Sequence, residues 1–494
     1  MNELLDGVEK RGLLFLKALY AEERWWTEKE LSAVGNCSSE TTFRTIAFLK
    51  EFAAQTDQFF TITSKKNKGL FLETSASHSI GEIEGHYIKR SLSYKILDNL
   101  FQKRNLNYQR LAKLLFVSPS TIYRKVKKIQ LFLEENGLSL NLTNFSIAGP
   151  EWQVREFFYR VYWSVLKSGQ WPFNEFSYQQ LAHTYQRTIK GMSLKLSKVE
   201  DIQFYYRLAI NKIRHRAGFF IQDAIVLDPY FHYYRPIVGA FIPAVIPPVY
   251  LDYETTFLTF ALVANPIFDE QSDNSDSRLF WHQHNPSDAY LFSKGILDSV
   301  KENCPQNLIH NEERLMFKLL NLYYYTMLFS KLTLAHTNIE AFIKSFSQEN
   351  TYFYQHIINS INNIRHLLPK SVLSSNINYL LYHLLLIFSS EIDVNFMNNR
   401  IYVKLSCTIE PLNEEYLKQF LIKKANQPLI VHTSHSSDIP LNQYDLLITD
   451  NFMAEYEYPS AITHCIWDYP PTQRDWHNIL EKIDTIASHT LVSL

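Results

Sequence analysis

Hydrophobic positions recur at helical spacing over most of the chain and switch to strict alternation in a few short stretches. The best-marked helix is SPSTIYRKVKKIQ. Ser118 is placed to cap it, Pro119 sits at the first helical position, and Ile122, Val126, Ile129 and Leu133 form one apolar stripe. Ser120, Thr121, Arg124, Lys127 and Lys128 fall on the opposite side, with Lys125 on the flank. A shorter helix, Tyr108 to Leu115, precedes it, with only Phe116 and Val117 between the two. Two short helices joined by a tight turn, the second one basic, is the helix-turn-helix plan. The following LSLNLTNFSIAG alternates on both sides of Asn141 to Asn144 and predicts a hairpin, or wing.

The same rhythm predicts a second unit of this kind over residues 1–80. Leu13, Leu16, Leu19 and Tyr20 mark a first helix, and Thr27 is placed to cap a second that runs through Leu31 to Val34. A third helix, Ser39 to Phe52, is expected to pack through Phe43, Ile46, Ala47 and Leu49 and to leave Thr41, Thr42, Arg44, Thr45 and Lys50 elsewhere. FFTITSKKNKGLFLE then reads as a hairpin with Lys65, Lys66 and Lys68 at its tip, suited to a phosphate or minor-groove contact.

The small, polar stretch Thr74 to Gly85 reads as a linker to the second unit, 85–150. From Glu151 to Asn395 the pattern is almost wholly helical, interrupted by a Pro-rich break, Tyr234 to Tyr250, and by a polar break, Phe268 to Asp288. From Arg400 it becomes α/β: IYVKLS, PLIVHTS and YDLLITD read as strands, Leu412 to Ala425 and Trp476 to Ala487 as helices.

Composition narrows the function. At 494 residues the chain is too long for one core. Its formal net charge is −1, so nucleic-acid binding must be local. The charge is indeed local. Between His86 and Gln130 stand Lys89, Arg90, Lys95, Lys103, Arg104, Arg110, Lys113, Arg124, Lys125, Lys127 and Lys128, against the acid Asp98. Cys37, Cys304, Cys407 and Cys465 form no CxxC pair, which argues for a reducing, cytoplasmic setting without a structural zinc. The N-terminus lacks the apolar core of a signal peptide, and the longest apolar run, Tyr379 to Phe388, is too short to span a bilayer. No Walker loop, HExxH, GxSxG or GxGxxG occurs, so no catalytic residue, cofactor or metal is expected. His282 and His284, in WHQH, are read as part of a polar loop.

This order of parts resembles the Mga/AtxA-like transcription regulators, most specifically over LSYKILDNLFQKRNLNYQRLAKLLFVSPSTIYRKVKKIQ and NFSIAGPEWQVREFF. The resemblance implies a multidomain, mainly α protein. It would comprise two winged helix-turn-helix domains (1–80 and 85–150), two all-helical phosphotransferase-system regulation domains (151–285 and 286–395) and a small α/β domain (396–494) like the EIIB component of sugar transporters. It further implies a cytoplasmic homodimer that binds double-stranded DNA and is phosphorylated on histidine by a phosphocarrier protein. His215, between Arg214 and Arg216, is the first candidate, since the arginines would hold a phosphate and the ring is expected to be exposed. His366 and His383 are the options in the second regulation domain, although the leucines around His383 suit a core histidine better; His183 and His336 are weaker. Cys407 falls where EIIB carries its phosphocysteine, but Glu410, Glu414 and Glu415 stand where a phosphate loop needs glycines, so a structural role and dimer contacts are expected there. Two other functions fit parts of the chain: a phosphocarrier or sensor of the phosphotransferase system, and an RNA-binding antiterminator.

Overall fold

The computed structural model of the protein describes residues 1–55, 60–66, 68–74, 79–102, 106–166, 171–189, 197–225, 227–228, 231–243, 245–263, 275–302, 309, 311–334, 338–370, 372–392, 401–425, 429–434, 444–450 and 462–492. Residues 75–78 of the expected linker, 268–274 of the polar break, Cys304 and His336 lie outside them. Among the described residues the protein is mainly helical, with two antiparallel hairpins in its N-terminal third and one small parallel sheet toward the C-terminus. The chain divides into two compact units. One comprises Met1–Asn285, Asn321–Ile339 and Leu368–Leu380; the other comprises Pro286–Leu320, Glu340–Leu367 and Leu381–Leu494.

The first unit begins with α1 (Gly7–Ala21), α2 (Glu28–Val34) and α3 (Ser39–Ala54). Thr27 starts α2 with a capping box: its side chain accepts from the Glu30 N–H at 3.3 Å while Glu30 accepts from the Thr27 N–H at 2.7 Å. The hairpin β1 (Phe60–Lys65) and β2 (Gly69–Thr74) follows, with Phe60 opposite Thr74 and Lys65 opposite Gly69. Next come α4 (Ile80–Arg90), α5 (Leu92–Gln102), α6 (Tyr108–Leu115), α7 (Pro119–Glu135) and a second hairpin, β3 (Ser139–Asn141) and β4 (Ser146–Ala148).

Two glycines let these parts close on one another. A Cβ at Gly12 would lie 2.2 Å from the Tyr87 hydroxyl oxygen, and one at Gly85 would lie 2.1 Å from the Val165 carbonyl oxygen. Gly12 thus admits α4 against α1, where Tyr87 donates to the Glu9 carbonyl at 2.9 Å. Gly85 admits α4 against α8 (Glu151–Leu166). Phe101 of α5 also packs at a tilt on Phe158 of α8, with centroids 4.2 Å apart. The unit continues with α9 (Tyr178–Ile189), α10 (Lys198–Arg216), α11 (Phe231–Gly239), α12 (Pro248–Val263) and α13 (Ser275–His284). The Pro-rich stretch is broken between α11, which holds Pro236 within it and ends at Gly239, and α12, which opens on Pro248.

Two expectations are overturned here. The expected linker, Thr74 to Gly85, is helical from Ile80 onward, where α4 starts under a Ser79 cap and buries Ile83 and Gly85 in its packing face. WHQH is helical, at the end of α13, and its His282 is fully buried, 3.2 Å from Asp228, which also binds Arg278 at 2.7 Å. His284 is exposed.

The second unit contains α14 (Asp288–Glu302), the start of α15 (Glu312–Leu328), then α16 (Ile339–Glu349), α17 (Thr351–Asn363) and most of α18 (Ile377–Glu391). It ends in the parallel sheet of β5 (Ile401–Ser406), β6 (Leu429–His432), β7 (Leu446–Thr449) and β8 (Thr463–Ile466), ordered β6-β5-β7-β8. Its helices are α19 (Pro411–Lys424) and α20 (Gln473–Val492). Val403, Leu405, Ile448, Leu417, Leu421 and Ile479 form the shared core of sheet and helices. No helix among the described residues is long and apolar enough to cross a membrane.

Candidate nucleic-acid interface

The turn before α7 is built by hydrogen bonds. Asn107 caps α6 by accepting from the Arg110 N–H at 2.9 Å, and α6 ends at Phe116, whose backbone is left-handed with φ 54°. Ser118 then caps α7, accepting from the Thr121 N–H at 3.2 Å and sharing hydroxyl contacts with Ser120 (2.8 Å) and Thr121 (2.9 Å). Ile122, Val126, Ile129 and Leu133 are wholly buried. The stripe read from the sequence is therefore the core face. Ser118, Ser120, Arg124 and Lys127 are exposed and Thr121 is half-buried, so these five line one accessible side of the helix.

Lys125 and Lys128 depart from that side. Lys125 is buried against α1, its ammonium 2.6 Å from Asp6, and Lys128 donates to the Leu5 carbonyl at 2.5 Å. Burial and the neighbouring positive charges of Lys10 and Lys125 hold the Lys128 pKa below its usual value, with Asp6 and Glu9 opposing. Both lysines serve to fasten the N-terminal segment to α7. Their partners lie more than a hundred residues away in sequence, which local periodicity does not register.

Helix α3 repeats this construction at an offset of eighty positions, a relation that apolar periodicity misses although CSSETTFRTIAFL and VSPSTIYRKVKKI align without a gap. Asn36 takes the left-handed place of Phe116, with φ 43°. Ser38 caps as Ser118 does, accepting from the Thr41 N–H at 3.3 Å. The alignment also corrects half of the expected packing face: Ile46 and Leu49 are buried as expected, but Phe43 and Ala47 are not. Thr42 and Thr45 are buried core positions, whereas Phe43 is 65% exposed and Ala47 is exposed. Thr42 is consequently not at a DNA-facing position. Its hydroxyl donates to the Ser38 carbonyl at 3.1 Å and meets Ser32 Oγ at 2.8 Å and Cys37 Sγ at 3.3 Å. Polar partners under the helix are what let a threonine sit there. Thr41 is half-buried; Arg44 is exposed but pairs with Glu40 at 2.5 Å. Lys65, Lys66 and Lys68 are exposed around the β1–β2 turn.

The histidines occupy three different settings. His215, in the last turn of α10, is buried rather than exposed, with its Nε2 2.8 Å from Glu254 of α12. Glu254 also receives both guanidinium nitrogens of Arg155 at 2.6 and 2.9 Å and the Ile221 N–H at 2.9 Å. Burial opposes ionisation of Glu254, but the bonds and charges of His215 and Arg155 outweigh it and hold its pKa at about 2. The arginines flanking His215 are engaged as well, Arg214 with Glu151 at 2.7 Å and Arg216 with Glu175 at 3.0 Å. His366 lies exposed in a short 3-10 turn, His383 is buried on α18, and His183 is exposed on α9.

At the C-terminal sheet, burial pushes the Cys407 thiol up to about 12, and the Trp467 indole donates to its sulfur at 3.3 Å. Carboxylates of the chain occupy the donors that follow β5. Glu414 accepts from the Cys407 N–H at 3.1 Å and from the Ser434 N–H and hydroxyl at 2.9 and 2.8 Å, and Asp450 accepts from the Thr408 N–H at 2.7 Å. A protonated thiol beside an already filled loop is poorly suited to take up phosphate. Among the described residues no group of three His, Cys, Asp or Glu side chains is arranged to hold a metal ion.

A capped, basic second helix after a tight turn, followed by a hairpin, defines a helix-turn-helix protein. Residues 76–162 match the Mga helix-turn-helix domain. The chain is 23% identical over 320 residues to the capsule synthesis positive regulator AcpB of Bacillus anthracis, covering 62% of this chain and 64% of that protein. It is 30% identical over 171 residues to the capsule synthesis positive regulator AcpA of the same organism, 35% of each chain. It is also 24% identical over 202 residues to the anthrax toxin expression trans-acting positive regulator of Bacillus anthracis, 40% of each. Over these stretches the chain is similar to the Mga/AtxA-like transcription regulators. Its matches span less than two thirds of the length of these relatives, which are named as regulators rather than as enzymes.

Proposed function

We propose that this protein is a double-stranded-DNA-binding transcription regulator whose principal reading helix is α7. The observation that carries this reading is the accessible side of α7, with Ser118, Ser120, Thr121, Arg124 and Lys127, inside the stretch that matches the Mga helix-turn-helix domain. Arg124, Ser120 and Thr121 would read base edges while Lys127 and the exposed Arg110 and Lys113 neutralise phosphates. The construction repeated at α3 and β1–β2 supports a second winged unit, with Thr41, Arg44, Lys65, Lys66 and Lys68 as its contacts.

The helical modules, 151–285 and 286–395, are the candidate regulation domains; the compact units change at Asn285 and Pro286, while Asn321–Ile339 and Leu368–Leu380 pack with the first unit. The EIIB-like tail, 396–494, would supply dimer contacts; the exposed Leu412 and Tyr416 on α19 favour this, and the filled loop at Cys407 disfavours phosphotransfer. A phosphocarrier protein would act on histidine. His366 is directly accessible, while His215 requires its bond to Glu254 to open. A phosphate on His215 Nε2 would face the ionised Glu254 carboxylate and break the Arg155–Glu254–His215 cluster. Arg155 belongs to α8, which packs on α4 and α5, so that change would reach the DNA-binding unit.

Competition between a promoter-sized duplex and a hairpin RNA for the full chain tests the first claim. Retention of the duplex is expected; preferential binding of the hairpin RNA would replace this reading with antitermination. For the second claim, incubation with a phosphorylated phosphocarrier protein should label wild type, and the His215→Ala, His366→Ala and His383→Ala variants should identify the site.

A further inference from the structure

Phe116 is 94% exposed in the turn between α6 and α7, and it holds a left-handed backbone that disfavours a bulky residue. The turn before α3 solves the same backbone problem with Asn36, a residue that tolerates this conformation. The turn therefore does not need an aromatic residue. The ring makes no contribution to the core either, since nearly all of its surface faces solvent while the backbone alone forms the turn, the Phe116 and Val117 N–H groups both reaching the Ala112 carbonyl. A side chain that folding does not require is being held out beside the accessible end of α7. Its surroundings are cationic and hydroxylic: Lys113, Arg124 and Lys127 are exposed nearby in sequence, as are Ser118 and Ser120, and no acidic residue stands between Asn107 and Gln130. Such surroundings suit a polyanion that also offers apolar edges, which is duplex DNA rather than an acidic or apolar protein surface.

We infer that Phe116 is a specificity-determining contact, its ring packing on a thymine C5-methyl group at the edge of the major groove entered by α7. This rests on the reading of α7 as a DNA-binding helix. The turn before α3, with Asn36 in the equivalent place, lacks such a contact.

The test is selection from a random-sequence duplex library by the full chain, in wild type and Phe116→Asn forms. Wild type should enrich thymine at one position that Phe116→Asn leaves unselected. In the enriched duplex, replacing that thymine with deoxyuridine removes only the methyl group and should weaken wild-type binding by about threefold to fivefold. Binding by Phe116→Asn should not respond to the replacement, and its melting temperature should equal or slightly exceed that of wild type. The inference is overturned if both proteins enrich the same sequence and respond alike to deoxyuridine, or if Phe116→Asn melts well below wild type, which would make the ring structural. If wild type enriches no duplex sequence, the DNA reading itself fails and this contact falls with it.

Discussion

The α6–α7 helix-turn-helix and the α2–α3 element that repeats its construction differ in charge far more than in geometry. Both cap the second helix with a serine, both precede it with a left-handed residue, and both bury equivalent positions, Thr42 and Thr45 in one, Ile122 and Lys125 in the other. Along the accessible side, however, Glu40 and Ala47 of α3 stand where α7 has Ser120 and Lys127. Glu40 ties up Arg44 and brings a negative charge to the helix N-terminus, the end that would otherwise favour phosphate. On the proposed reading, α3 and its hairpin lysines would add secondary contacts, and α7 would carry the main contact surface.

The largest effect expected from this contrast is on stability. Ile122→Ala leaves a cavity in the hydrophobic core and should destabilise the protein by about 2–5 kcal/mol. Thr42→Ala, at the equivalent place, removes a hydroxyl with three partners and should cost about 1–3 kcal/mol. Hydrogen exchange resolved to each element would read the difference, and equal losses would undo the distinction between the two sites.

A sharper test transplants charge. Glu40→Ser gives α3 the residue found in α7 and releases Arg44. Binding to duplex DNA should then depend more steeply on salt, by about 0.9 in the log–log slope for each additional phosphate that the helix neutralises. No change in slope would mean that α3 does not approach the backbone.

The smallest effect distinguishes two neighbouring lysines. Lys125→Met should cost about 1 kcal/mol of stability through its lost pair with the half-exposed Asp6, without altering the salt slope. Lys127→Met should do the reverse, flattening the slope by about 0.9 at unchanged stability. A flattened slope for Lys125→Met would restore it to the contact surface.

What the sequence made legible was local. The α7 cap, its apolar stripe, both hairpins and the α/β alternation of the tail all depend on neighbours within a few residues, and all stand in the structure. What it hid was long-range pairing. Lys125 looks solvent-facing in the sequence because Asp6 is remote, and His215 looks exposed because Glu254 comes from another helix. His282 looks like part of a polar loop because Asp228 is likewise distant. The packing face of α3 is half misread for a related reason. Ile46 and Leu49 pack as expected, but two further core positions are threonines, Thr42 made acceptable by Ser32 and Cys37 beside it, so apolar residues alone misplace Phe43 and Ala47.

The most direct measurement compares the salt dependence of duplex binding for wild type, Arg124→Ala/Lys127→Ala and Thr41→Ala/Arg44→Ala. The expected result is weak binding and a slope flattened by about 0.9 for each phosphate no longer neutralised in the α7 variant, with a smaller change for the α3 variant. If the α7 variant keeps the wild-type affinity and slope, α7 is not the principal reading helix.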